Sequence, residues 1–228
     1  MALSNASKAG LAIFVGAVQF AILLVISEVI YTTASSPHIF GTGNETGYAY
    51  SVASNYISDL GANCLPSGAC YIPPSALLFD SSVVILGLTL LICAYYLHRA
   101  FRWMPATLLV AITGLGAIGV GVFPETMAGP HEIFSLVTFL FVGLSAIASY
   151  RLQKKPLGYL SVILGVLTIA SLILAVPATW QFRMTASSSG FYLGLGIGGI
   201  ERLVAYPAIL WAIAFGSHLM ATEDKPRM

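Results

Sequence analysis

The sequence predicts an all-α polytopic membrane protein. It has six transmembrane helices, cytoplasmic N- and C-termini, and a long outer loop after the first helix. Three observations carry this. Hydrophobic residues make up 57% of the 228 residues and charged residues only 8%, against roughly 25% charged in a typical soluble domain. Six apolar runs each approach or exceed the about 20 residues that a helix needs to cross a bilayer. The basic residues also sort to one side. With the N-terminus inside, the inner segments hold Lys8, Arg99, Arg102, Arg151, Lys154, Lys155, Lys225 and Arg227, while the outer segments hold only Arg183. That positive-inside bias sets the orientation. A single soluble core could not cover so much apolar surface, so residues 1–228 are read as one six-helix domain.

The spans follow in order. The first runs from about Lys8 to Tyr31 and has no cleavage pattern before it, so it serves as both signal and anchor. A loop of Gly, Ser, Asn, Thr and Tyr follows, over about 32–74. The second span runs from about Ser75 to Leu97, and the third from about Met104 to Phe123. The fourth runs from about His131 to Tyr150, and the fifth from about Leu157 to Trp180. The sixth begins near Phe191 and ends near Met220. A charged cytoplasmic tail occupies about 221–228. The net charge is +1 with no basic stripe, so no nucleic-acid partner is expected.

The acids gather on the opposite side from the bases. Glu45, Asp59, Glu125 and Glu132 fall outside or at the outer boundary, and Glu28, Asp80 and Glu201 fall in the outer halves of spans. Cys64 and Cys70 lie in the outer loop with Pro66 and Gly68 between them. A turn there would join them in a disulfide, which an oxidising exterior permits; two free thiols are the alternative. Cys93 reads as a packing residue.

Two glycine patterns, Gly114–Gly119 and Gly194–Gly199, match the spacing of dinucleotide-binding loops. Neither follows a strand, so the mechanism behind that motif is missing. Small residues at this spacing let membrane helices approach closely, which makes the third and sixth spans expected neighbours. A zinc site would need three ligands, and the four histidines do not fall on one side. No lysine lies inside a span for a retinal Schiff base, and no histidine lies at mid-membrane for a haem. No metal and no cofactor is expected.

The residues that could carry chemistry are few. Glu201 and Arg202 lie within the sixth span, where each charge costs about 2.5–3.5 kcal/mol on insertion scales. Arg202 needs a partner on another helix, and Glu28, Asp80 and Glu132 are the candidates. Pro124 stops the third span and Pro130 starts the fourth, with Glu125, His131 and Glu132 close around that turn. A histidine beside carboxylates shuttles protons near neutral pH; a carboxylate placed to favour the helix N-terminus is the plainer account of Glu132. Residues 55–61 read as a short amphipathic helix stopped by Gly61. It is either a lid over the acidic cluster or an ordered loop.

Three of these segments form a pattern: Ile57-Ser58-Asp59-Leu60-Gly61; Phe123-Pro124-Glu125 followed by His131; and Glu201-Arg202 followed by Pro207 and Trp211. Together they resemble a family of archaeal and bacterial multi-pass membrane proteins known as domain of unknown function 998. The resemblance runs from the first span to the last. It implies a six-span protein of a prokaryotic plasma membrane, with Asp59, Glu125, His131, Glu201 and Arg202 as its polar pattern. It implies no activity, substrate or cofactor.

Three functions stay open. The first is a site open to the outer leaflet that binds or modifies a lipid or small anionic ligand. Arg202, Glu201, Asp80, Asp59 and Glu28 would bind it, and His131 with Glu125 or Glu132 would move protons. The second is a small-solute or proton-coupled carrier, although no inverted repeat is visible. The third is a non-catalytic subunit held to a membrane-protein partner by its glycine-rich spans. The lipid bilayer surrounds all three.

Overall fold

A computed structural model describes residues 3–33, 50–53, 55–62, 72–185 and 193–222, with side chains omitted at 32–33 and 176–185. Cys64, Cys70, Glu45 and His38 lie outside these residues, and so does the expected disulfide.

Among the described residues, six α-helices account for the architecture: α1 (Asn5–Thr33), α2 (Pro74–Phe101), α3 (Met104–Val122), α4 (Ala128–Ser149), α5 (Leu157–Thr185) and α6 (Gly196–Met220). All six are long and apolar enough to cross a membrane. Even the 19-residue α3, at about 1.5 Å per residue, comes close to the about 30 Å hydrocarbon core. Among the described residues there is no strand. Prolines punctuate the chain. Pro74 and Pro105 sit in first turns, where a missing N–H is harmless. Pro124 restricts Phe123 and ends α3. Large apolar side chains such as Leu11, Ile22, Leu88, Leu108, Ile133 and Leu210 are exposed on the outside of the bundle, where lipid would cover them.

Each helix packs against its neighbours in sequence, and α6 returns to pack against α1. The result is a closed ring. Glycines set several crossings by letting backbones touch: Gly10 with Gly216, Gly87 with Gly114, and Gly143 with Gly165. The third and sixth spans are not the tight pair expected from their glycines. α3 sits between α2 and α4, and α6 sits between α5 and α1. The glycines at 194 and 196 serve the backbone instead. Both have φ of +74°, a region L side chains avoid. Gly196 and Gly198 also lie against the carbonyls of Ala53, Asn55 and Val52, so the connecting loop rests on the start of α6.

The start of α1 and the end of α6 lie at one end of the ring, where Ser7 Oγ donates to Met220 O at 3.1 Å. Cations stack on aromatic rings at this end: Lys8 on Tyr96, Arg99 on Tyr95, Arg151 on Trp103 and Lys155 on Tyr159. The terminal half of the ring is filled solid by Ile13, Leu90, Cys93, Leu97, Val110, Trp211, Phe215 and Leu219. Cys93 is a free, buried packing residue there.

Candidate functional site

The other end of the ring is roofed by residues 50–62. Asn55 N donates to Ser51 O at 2.8 Å, and Ser51 N donates back to Asn55 Oδ1 at 2.9 Å. A single 3-10 turn, Ser58–Gly61, follows. Ile57 and Leu60 are buried against Phe79 and Val83 of α2, which draws Asp59 inward with them. Asp59 is fully buried.

Asp59 Oδ2 accepts from Asn55 Nδ2 at 2.8 Å and from Tyr56 N at 3.0 Å. Asp59 lies beside Glu125, in the turn between α3 and α4, close enough for the two carboxyls to interact. Each keeps one buried oxygen, Asp59 Oδ1 and Glu125 Oε2, that no N–H or hydroxyl reaches. A proton held between the two carboxyls accounts for both. Burial pushes both acids up from the ordinary carboxylate range, and for Glu125 the charge of Asp59 adds to the rise. Two carboxylates this close cannot both ionise freely. The Ser58 side chain lies near both Glu125 and Glu201 of α6. Glu201 Oε2 accepts a short bond from Ile57 N.

Arg202 faces the roof from below and is buried. Nη1 donates to Val52 O, Asn55 O and Gly198 O, each at 3.0 Å. Nη2 donates to Glu28 Oε1 at 2.9 Å and to Tyr50 Oη at 2.5 Å. Of the three partners open to it in the sequence, Glu28 makes the ion pair. Burial raises the Tyr50 phenol far above its usual range, so Tyr50 stays protonated and passes its own hydrogen to Tyr56 O at 3.2 Å. The guanidinium thus fastens the roof to α1 and α6.

Beneath the roof, at the centre of the ring, lies a cavity of about 100 Å³. Ser58, His131 and Glu201 border it at the roof end, and Phe20, Phe79, Phe139 and Ile209 are among its apolar walls. Trp211 lies at its floor, stacked on Phe215 with centroids 5.5 Å apart. The Trp211 indole donates to Ser149 Oγ at 3.0 Å. His131 is buried, and its Nδ1 lies 2.7 Å from Phe123 O. A carbonyl only accepts, so Nδ1 carries the hydrogen.

The structure therefore brings Asp59, Glu125, His131, Glu201, Arg202 and Glu28 to one end of the ring. Asp80 lies beside this group on α2, its side chain against Gly61, and is not among the cavity-lining residues. Glu132 is exposed on α4 and is not among them either. Ser58, Tyr50 and Asn55 were not anticipated. A lone serine or tyrosine in a polar loop carries no pattern, and only the fold reveals their partners.

A family model described as "Protein of unknown function (DUF998)" matches residues 36–218, in agreement with the motif resemblance. No curated protein and no solved structure matches the chain.

Proposed function

The chain belongs to the family described as Protein of unknown function (DUF998), and from that premise we propose that it is a membrane-embedded binding protein. Its pocket takes a short apolar group, either the apolar part of a small amphiphile or a segment of a lipid. The ligand's polar end sits at Ser58, His131 and Glu201. The observation that carries this reading is the central cavity, apolar along its walls and polar at one end. That combination is the usual form of a small-molecule site. Its volume suits a group somewhat smaller than benzene, which an engineered cavity of about 150 Å³ accepts.

The lining favours an uncharged or proton-donating polar end over an anion. Glu201 is the charged residue among those that line the cavity, and Arg202 spends its Nη donors on Glu28, Tyr50 and three carbonyls. The packed terminal half, from Trp211 to Leu219, supports a one-sided site over a carrier. The basic residues collected at the terminal end support placing that end in the cytoplasm of a prokaryotic cell and the site on the outer face.

Native mass spectrometry of the protein extracted with its own membrane tests the reading. Wild type should retain a small apolar ligand, and Ala208→Phe, which fills the cavity wall, should lose it while staying folded. Equal retention by both would place the ligand elsewhere and refute the proposal.

A further inference from the structure

Resting on that pocket, we propose that its ligand is a small apolar amine, bound as an alkylammonium with its charge on Glu201. Glu201 is the charged residue among those that line the cavity. Its Oε2 accepts from Ile57 N in the roof, which fixes the carboxyl at the polar end. One backbone donor does not neutralise a carboxylate, and Arg202 does not either. Arg202 is the next residue of the helix, and successive helical side chains point about 100° apart. It makes its ion pair with Glu28 at 2.9 Å, gives Nη1 to three carbonyls at 3.0 Å each, and is not among the lining residues. A carboxylate beside apolar walls is costly until it is paired and hydrogen-bonded. A ligand cation supplies that pairing, whereas a ligand anion adds a second like charge.

The rest of the lining fits an organic cation. Among the described residues no three His, Cys, Asp or Glu side chains are placed to hold a metal ion. An alkylammonium brings its own N–H donors, three on a primary amine. Glu201 takes one, and the Ser58 hydroxyl oxygen borders the same end of the cavity as a second acceptor. Aromatic rings attract a cation placed near their faces. Phe20 and Phe79, with centroids 6.2 Å apart, belong to the same packed cluster as Ile57, the residue whose N–H holds Glu201. Both line the cavity. The alkyl chain then runs toward Trp211 at the floor, past the small walls of Ala205 and Ala208. A cavity of about 100 Å³ is smaller than the about 150 Å³ that accepts benzene, so the chain is short.

The test is NMR of the tryptophan indole N–H groups of the full chain in detergent micelles, with Trp211→Phe assigning the signal from the cavity floor. Propylammonium chloride, propanol and sodium propionate are titrated at neutral pH and matched ionic strength. Propylammonium should shift the Trp211 signal saturably. Charge-assisted hydrogen bonds are roughly twice as strong as neutral ones, so propanol should need at least about tenfold more ligand for half-saturation. Propionate should give no saturable shift. Glu201→Gln keeps an acceptor for Ile57 N and removes the charge. In that variant the half-saturation point of propylammonium should rise to that of propanol, whose own value stays unchanged. If propanol bound wild type as tightly as propylammonium, the amine would be overturned and the pocket would stand. A preference for propylammonium that survived in Glu201→Gln would overturn Glu201 as the counter-charge. If none of the three compounds moved the signal, the pocket itself would fall and the amine with it.

Discussion

Replacing Arg202 by methionine separates a clamp from a ligand-binding cation. The guanidinium holds Glu28 at 2.9 Å and the carbonyls of Val52, Asn55 and Gly198 at 3.0 Å each. Methionine preserves much of the apolar stem and removes all of these donors. Breaking a buried ion pair costs about 3–5 kcal/mol, and a buried carbonyl stripped of its donor adds about 1–3 kcal/mol. Val52 is exposed and its carbonyl can turn to water, so the lower end of the ion-pair range plus the lower end for the buried Asn55 carbonyl gives a loss of about 4 kcal/mol. At about 1.4 kcal/mol per tenfold, detachment of residues 50–62 becomes several hundred times more favourable. Hydrogen exchange reads this directly at the amides of Asn55, Leu60 and Ala62, which bond within the roof at 2.8, 3.2 and 3.1 Å. Protection there should fall by that factor, while the terminal half changes little. Arg202→Lys should recover only part of it, because one ammonium cannot span two sets of acceptors. A loss of protection below tenfold in Arg202→Met would refute the clamp.

Stability should also fall as pH rises. The unfolded chain releases the Glu125 proton in the ordinary carboxylate range, whereas the folded state holds it well above that range. Between the two values the folded state binds the extra proton, so stability drops by up to about 1.4 kcal/mol per pH unit and then levels off. Melting temperatures across pH should show this slope in wild type and not in Glu125→Gln; a flat wild-type profile contradicts the shared proton. Ser149→Ala strands the buried Trp211 N–H and should cost about 1–3 kcal/mol in chemical denaturation. In Gly114→Val the added Cβ would lie 2.8 Å from Gly87 O, and overpacking of this kind costs about 1–3 kcal/mol or more. Gly129→Ala meets nothing within 4 Å and should leave the melting temperature unchanged.

The six spans were legible because apolar length alone defines them, and Pro124 and Pro130 marked the turn between the third and the fourth. The convergence of Glu28, Asp59, Glu125, His131, Glu201 and Arg202 was legible from topology, since all fall near one end of their helices. What the sequence withheld is the pairing. Arg202 had three acids open to it, and the order of helices around the ring decided for Glu28. These helices are apolar on nearly every face, so periodicity does not say which side meets which neighbour. The same ambiguity hid the cavity, and it misdirected the glycines at 194–199 to a helix crossing when their role is to seat a loop. Ser58 stands inside the Ile57–Gly61 motif, but nothing in the sequence places it near Glu125 and Glu201.

The ring closes where the first helix meets the last, at Gly10 and Gly216. A chain made from its N-terminus inserts α1 long before α6 exists. Until then Glu28 waits in the membrane without Arg202, the roof has no Gly198 to rest on, and the cavity lacks a wall. Biogenesis of the site is therefore all-or-none with respect to the final span. A nascent chain stalled before residue 196 would lack the Arg202 partner of Glu28 and leave the seam beside Gly10 open.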